Sequence, residues 1–173
     1  AKAYNGKTSA RVVLISPIAN ENVKGVDAAD RNNANIRAYL KVMKEVAAEQ
    51  KVGFVDAFTT TEKAMASPGN DLTMNGAHLN EKGYQLFAAT VFEQLFGKEA
   101  PKLDEKVRVA VVEKNKQHFF RYRPLNTFYY TGGRNRSYGY LDFLPAMRNF
   151  DLMTVNRDDR IHALAAGKKV PAK

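Results

Sequence analysis

Apolar residues occur along this chain in two rhythms. In "RVVLIS" (residues 11–16) and "VGFVDAF" (52–58) they run almost unbroken for the length of one strand. Short β-branched and aliphatic runs of this kind predict strands covered on both faces, as in a parallel sheet. From about 31 to 50 the spacing becomes i, i+3, i+4, i+7. Ile36, Tyr39, Leu40, Met43, Val46 and Ala47 then share one face of a helix. Strand, helix, strand at these lengths is a βαβ unit with a right-handed crossover. A short helix is predicted over "TTEKAMA" and stops at Pro68-Gly69. Another runs from Glu81 to about Phe96, with Asn80 as its N-cap. Tyr84, Phe87, Ala88, Val91, Phe92 and Leu95 form its apolar stripe.

The second half of the chain reads differently. "VRVAVV" (107–112) fits a strand or part of a helix from about Leu103 to Phe119; its charged, helix-forming flanks favour the helix. A last helix is predicted from Pro145 to about Ala165, with Met147, Phe150, Met153, Ile161 and Leu164 facing the body, followed by a loose tail, "AAGKKVPAK". No further parallel strand is evident. Two parallel strands leave both sheet edges open and cannot cover helices on two faces. The expectation is an α/β fold that is partial in this chain, its remaining strands on other polypeptide.

Charge divides the chain at the same place. Residues 1–97 carry eleven Lys/Arg against ten Asp/Glu, and residues 98–173 carry sixteen against eight. The net charge of +9 therefore belongs almost wholly to the C-terminal part. Gly97 and Pro101 punctuate the break at "FGKEAPK". This gives two regions, 1–97 and 98–173. The basic region interleaves Phe119, Phe120, Tyr122, Phe128, Tyr129, Tyr130, Tyr138 and Tyr140 with Arg121, Arg123, Arg134 and Arg136. Arginine beside aromatics can bind single-stranded nucleic acid or stack on sugars. No compact nucleic-acid module is recognisable, so nucleic acid is the less favoured partner. The favoured reading is an arm that packs its rings on the body while its arginines pair with carboxylates. There is no cysteine, which removes disulfides and thiol chemistry. No apolar run nears the ~20 residues that span a bilayer. The polar start "AKAYNGKTSA" lacks Met and fits a processed product or a fragment.

Candidate chemistry centres on "DLTMNGAHLNEKGYQLF" (71–87), which holds one of three histidines. Ligands of open α/β sheets collect at the carboxyl ends of the strands. Ser16 and Asp56 lie near those ends, and the loop of His78 can reach the same edge. A neutral imidazole there can take a proton from a hydroxyl, provided an acceptor fixes its tautomer. Asn75 is either that orienter or simply the first residue of an Asn-Gly turn. Ser16 is a poor nucleophile candidate because it lacks the sharp Gly-flanked elbow that exposes a catalytic serine. Asn20 and Glu21 could line the site, but solvation of a polar loop explains them more simply. His118 and His162 have no second ligand at metal spacing, so no metal is expected. "PGND" (68–71) reads as a turn.

"NGAHLNEKGY" resembles the last sequence block of the SGNH, or GDSL, hydrolases. "RVVLISPIA", the long helix and "VGFVDAF" are similar to that family's penultimate strand, helix and last strand. The resemblance covers about residues 10–97. "FFRYRPLNTFYYTGGRNRSYGYLDFLPAM" resembles the arm that follows the domain in planctomycete-type members. The resemblance implies a three-layer, flavodoxin-like α/β/α sandwich, of which 1–97 is the C-terminal half, and a serine ester hydrolase (esterase) acting on acyl groups of sugars or lipids. It needs no cofactor and implies a secreted or periplasmic location. It gives His78 the role of general base and puts Asn75 where the family carries Asp. The chain has no Gly-Asp-Ser block, oxyanion-hole glycine or correctly placed Gly-x-Asn-Asp. The nucleophile is then expected on a second polypeptide or an N-terminal segment outside this chain. The competing reading is a non-catalytic binding or assembly subunit that keeps the half-fold.

Overall fold

The computed structural model describes residues 9–102, 104–123, 132, 133, 136 and 144–170. The chain divides into two compact units, Ala1–Pro101 and Lys102–Lys173. No described helix is long and apolar enough to cross a membrane.

The first unit is a parallel βαβ with two more helices. Strand β1 (Val13–Ile15) leads to α1 (Ala29–Glu49), β2 (Gly53–Val55), α2 (Ala57–Met65) and α3 (Glu81–Phe96). The strands pair in parallel with Val13 opposite Gly53 and Ile15 opposite Val55. Gly53 N donates to Val12 O and Ser16 N to Val55 O, both at 3.0 Å. These fit the predicted strands, helices and crossover order.

Polar side chains weld the strand ends to the helices. The Asp56 carboxylate caps α2 by accepting from Thr59 N (2.9 Å) and also accepts from Lys44 Nζ (2.7 Å). Gln94 of α3 lies along the end of β2. Its Oε1 accepts from Asp56 N (2.7 Å) and its Nε2 donates to Asp56 O (3.1 Å). The amide thus completes the main-chain groups of Asp56 as a neighbouring strand would. A small core of Ala19, Leu40 and Phe58, with Ile36, Phe54 and Met65 against it, lies between α1, α2 and the sheet.

The predicted apolar stripes are only partly covered. On α1, Leu40 and Ala47 are buried, but Tyr39 is 70% and Val46 40% exposed. On α3 the buried residues are Gly83 and Thr90, while Tyr84 of the predicted stripe is 61% exposed. Two three-residue strands are too small a surface to cover the full apolar arc of helices of 21 and 16 residues.

In the second unit, α4 (Glu105–Tyr122) and α5 (Leu144–Ala165) lie side by side. Glu113 pairs with Arg157 (3.1 Å) and Arg121 with Asp151 (2.9 Å). Advancing eight residues along α4 meets a partner six residues earlier on α5, so the helices are antiparallel. "VRVAVV" is helical, as its flanks predict. The residues of the predicted α5 stripe are covered, but the partner they meet is α4 and not the expected body: Phe150 meets Phe120 of α4 at 6.0 Å between ring centres. Only Ala110 and Met147 are buried among the described residues of this unit. Of the predicted aromatic–arginine interleaving, Phe128, Tyr129, Tyr130, Arg134, Tyr138 and Tyr140 lie outside the described residues.

Candidate functional site

The loop between α2 and α3 carries His78, and its shape follows from its sequence. Met74 N donates to His78 O (2.8 Å), closing a tight turn around Asn75-Gly76-Ala77. Gly76 takes φ +86°, and a Cβ there would stand 2.8 Å from the main-chain oxygen of Glu21. Both the backbone angle and the close approach call for glycine. The turn leaves at Asn80, whose Oδ1 accepts from Gly83 N (2.9 Å) as the N-cap of α3. The Asn80 Nδ2 donates to Asp71 O (2.8 Å), so one amide both starts the helix and ties the loop's beginning to its end.

Inside the turn, Asn75 Oδ1 accepts from His78 N (3.0 Å) and Ala77 N (3.3 Å). The same oxygen lies 3.0 Å from His78 Nδ1. Two main-chain N–H groups point at this atom, which identifies it as the amide oxygen. An amide oxygen can only accept, so in the neutral ring Nδ1 carries the proton and Nε2 keeps its lone pair. That is the tautomer of a general base. Asn75 is therefore the turn residue, and its amide oxygen also faces the imidazole, so one side chain meets the geometry of both roles the sequence presents as alternatives. His78 is exposed. A cavity of about 210 Å³ adjoins the turn, bounded by Asn75, Gly76 and Ala77 on one side and Val26, Ala29 and Asn32 on the other.

The turn is moored to the loop that leaves the carboxyl end of β1. Glu21 N donates to Gly76 O (2.9 Å). The Glu21 carboxylate is buried and accepts from Leu72 N (3.1 Å), Thr73 N (2.8 Å) and Thr73 Oγ1 (2.6 Å). Asn33 of α1 pairs with the main chain of Asn20, accepting from its N (2.7 Å) and donating to its O (2.9 Å). The expectation that Asn20 and Glu21 merely solvate a loop is thus corrected for Glu21. No periodicity or motif in "PIANEN" marks this residue, because its partners lie 51 and 52 positions away.

Ser16 is buried and committed elsewhere. Its Oγ accepts from Ala57 N and Phe58 N (both 2.9 Å) and donates to Pro17 O (3.0 Å), satisfying the first N–H groups of α2. This hydroxyl is a structural cap, in keeping with the missing elbow. Asp56, at the end of β2, is likewise a cap. Burial raises its pKa, but hydrogen bonds from Lys44 and Thr59 and the Lys44 charge outweigh that, and the net shift is downward. Among the described residues no cluster of His, Asp or Glu could hold a metal ion.

No protein-family model, curated protein or solved structure matches the chain.

Proposed function

We propose that residues 1–97 are the C-terminal half of an SGNH-type three-layer α/β/α sandwich, and that the complete domain is a serine ester hydrolase with His78 as general base. The observation that carries this reading is the Asn75–His78 pair. It directs the lone pair of Nε2 outward from a loop moored at the carboxyl end of a parallel strand. The exposed apolar arcs of α1 and α3 support it too, since they offer the surface on which further sheet would pack.

In this reading the serine comes from polypeptide outside these residues. Its hydroxyl gives its proton to His78 Nε2 as Oγ bonds the ester carbonyl carbon. The proton then passes to the departing alcohol as the carbon–oxygen bond breaks. Water hydrolyses the acyl-serine by the same route. Asn75 keeps Nδ1–H in place throughout. A neutral amide stabilises the imidazolium less than a carboxylate would, so Asn75 supplies orientation more than charge.

The test is isolation of the protein from its native source, mass spectrometry for a co-purifying Gly-Asp-Ser polypeptide, and labelling with a fluorophosphonate. The expected result is a labelled partner, with His78→Ala slowing labelling by roughly 10²–10⁴-fold, the usual weight of a general base. A complex that never labels would favour the binding or assembly reading instead.

A further inference from the structure

We infer that Glu21 is the positioning residue that sets which nitrogen of His78 carries the proton. The inference rests on the reading of His78 as a base, and it concerns a residue that does not touch the imidazole.

A histidine side chain free in water favours the Nε2-protonated form. Holding the other tautomer requires Asn75 Oδ1 to stay at hydrogen-bond distance from Nδ1, and hence requires a fixed loop. Glu21 grips that loop on both sides of Asn75. Before it, the carboxylate accepts from Leu72 N, Thr73 N and Thr73 Oγ1. After it, Glu21 N donates to Gly76 O. Thr73 Oγ1 also accepts from Gly76 N (3.0 Å), so the two grips are joined.

The chemistry of the carboxylate gives this network a direction. An ionised carboxylate only accepts, so the Thr73 hydroxyl must donate to it and must turn a lone pair toward Gly76 N. Charge-assisted bonds of this kind are shorter and roughly twice as strong as neutral ones, in line with the 2.6 Å Thr73–Glu21 contact. Oε2 of Glu21 takes both Thr73 donors, while Oε1 takes only a share of Leu72 N, so an apolar leucine, unlike glutamine, would strip all three donors of their acceptor. The Thr73 hydroxyl would then have nothing to hold its proton away from Gly76 N. The turn lies directly against the Glu21 main chain, where a Cβ on Gly76 would stand 2.8 Å from Glu21 O.

The tautomer is read directly by long-range ¹H–¹⁵N correlation of the imidazoles in the full chain, at alkaline pH where imidazole is neutral. His118 and His162, which lie in the other unit, serve as internal references. The wild-type protein should show His78 protonated on Nδ1. Glu21→Leu and Thr73→Val should convert it to the Nε2-protonated form, while Thr73→Ser, which keeps the hydroxyl, should retain the wild-type pattern. The references should not move in any variant. Should Glu21→Leu fail to fold, Thr73→Val and Thr73→Ser carry the comparison. An unchanged His78 tautomer in Glu21→Leu and Thr73→Val would overturn the positioning role and leave the base reading standing. A wild-type His78 already protonated on Nε2 would overturn both.

Discussion

The described residues of Ala1–Pro101 and those of Lys102–Lys173 achieve order by different means. The first unit joins distant loops through buried side chains: Ser16 to the start of α2, Thr61 to Ala19 N (2.9 Å), Asn33 to Asn20, Glu21 to Leu72 and Thr73. Each bond fixes one geometry, because a buried donor or acceptor left unmatched costs about 1–3 kcal/mol. The second unit holds two helices together by ion pairs, Arg121–Asp151 partly exposed and Glu113–Arg157 more covered, and by the apolar stripe of α5. Pairs in contact with water contribute only about 0–1 kcal/mol. A chemical site needs atoms fixed to fractions of an ångström. The buried polar wiring, and with it the candidate base, lies in the first unit.

This contrast can be broken at several points. Phe58→Ala should have the largest effect. The ring is buried in the small core, and its removal should cost roughly 3–5 kcal/mol. Hydrogen exchange should speed up across the first unit and leave α4 and α5 protected as before. Equal loss of protection in α4 and α5 would show that the units are not independent.

Gly83→Ala comes next. Its Cβ would stand 2.2 Å from Leu72 O and 2.7 Å from Leu79 Cδ2. Helix propensity favours alanine, but the clash should dominate and destabilise by about 1–3 kcal/mol, as overpacking does. The midpoint of urea unfolding measures it.

Asp56 predicts a smaller, pH-dependent term. Its folded pKa lies below the unfolded one. Its contribution is therefore complete well above the unfolded value of about 3.9 and is lost as pH falls through the folded value. Unfolding free energy measured against pH should fall with acid in this range, and Lys44→Ala should flatten that slope. The smallest effect is expected for Arg121→Ala in the second unit, which should cost only about 0.2–1 kcal/mol and fade further in salt. A loss as large as that of Phe58→Ala would mean that the helix pair is wired as tightly as the first unit.

Much of this was legible in the chain. The unbroken apolar runs place both strands, the 3.6-residue spacing places α1 and α3, and charged flanks decide that "VRVAVV" is helical. Asn80 is readable as a cap because a cap needs only the next three residues. Burial was read less well. Tyr39 and Tyr84 are exposed although their spacing puts them on apolar faces, since a stripe states what a helix can cover and not what is present to cover it.

Local pattern thus determined the elements, their order, the Asn-Gly turn at His78 and the concentration of positive charge in residues 98–173, because each of these depends on neighbours a few positions apart. Only the tertiary structure decided that Asn75 Oδ1 faces Nδ1, that Ser16 is spent on a helix start and that Glu21 is buried beneath the turn. The last two depend on hydrogen bonds between residues more than 40 positions apart; the first joins residues three apart, in a turn that the distant Glu21 bonds hold in place, and no short window of sequence encodes that anchorage.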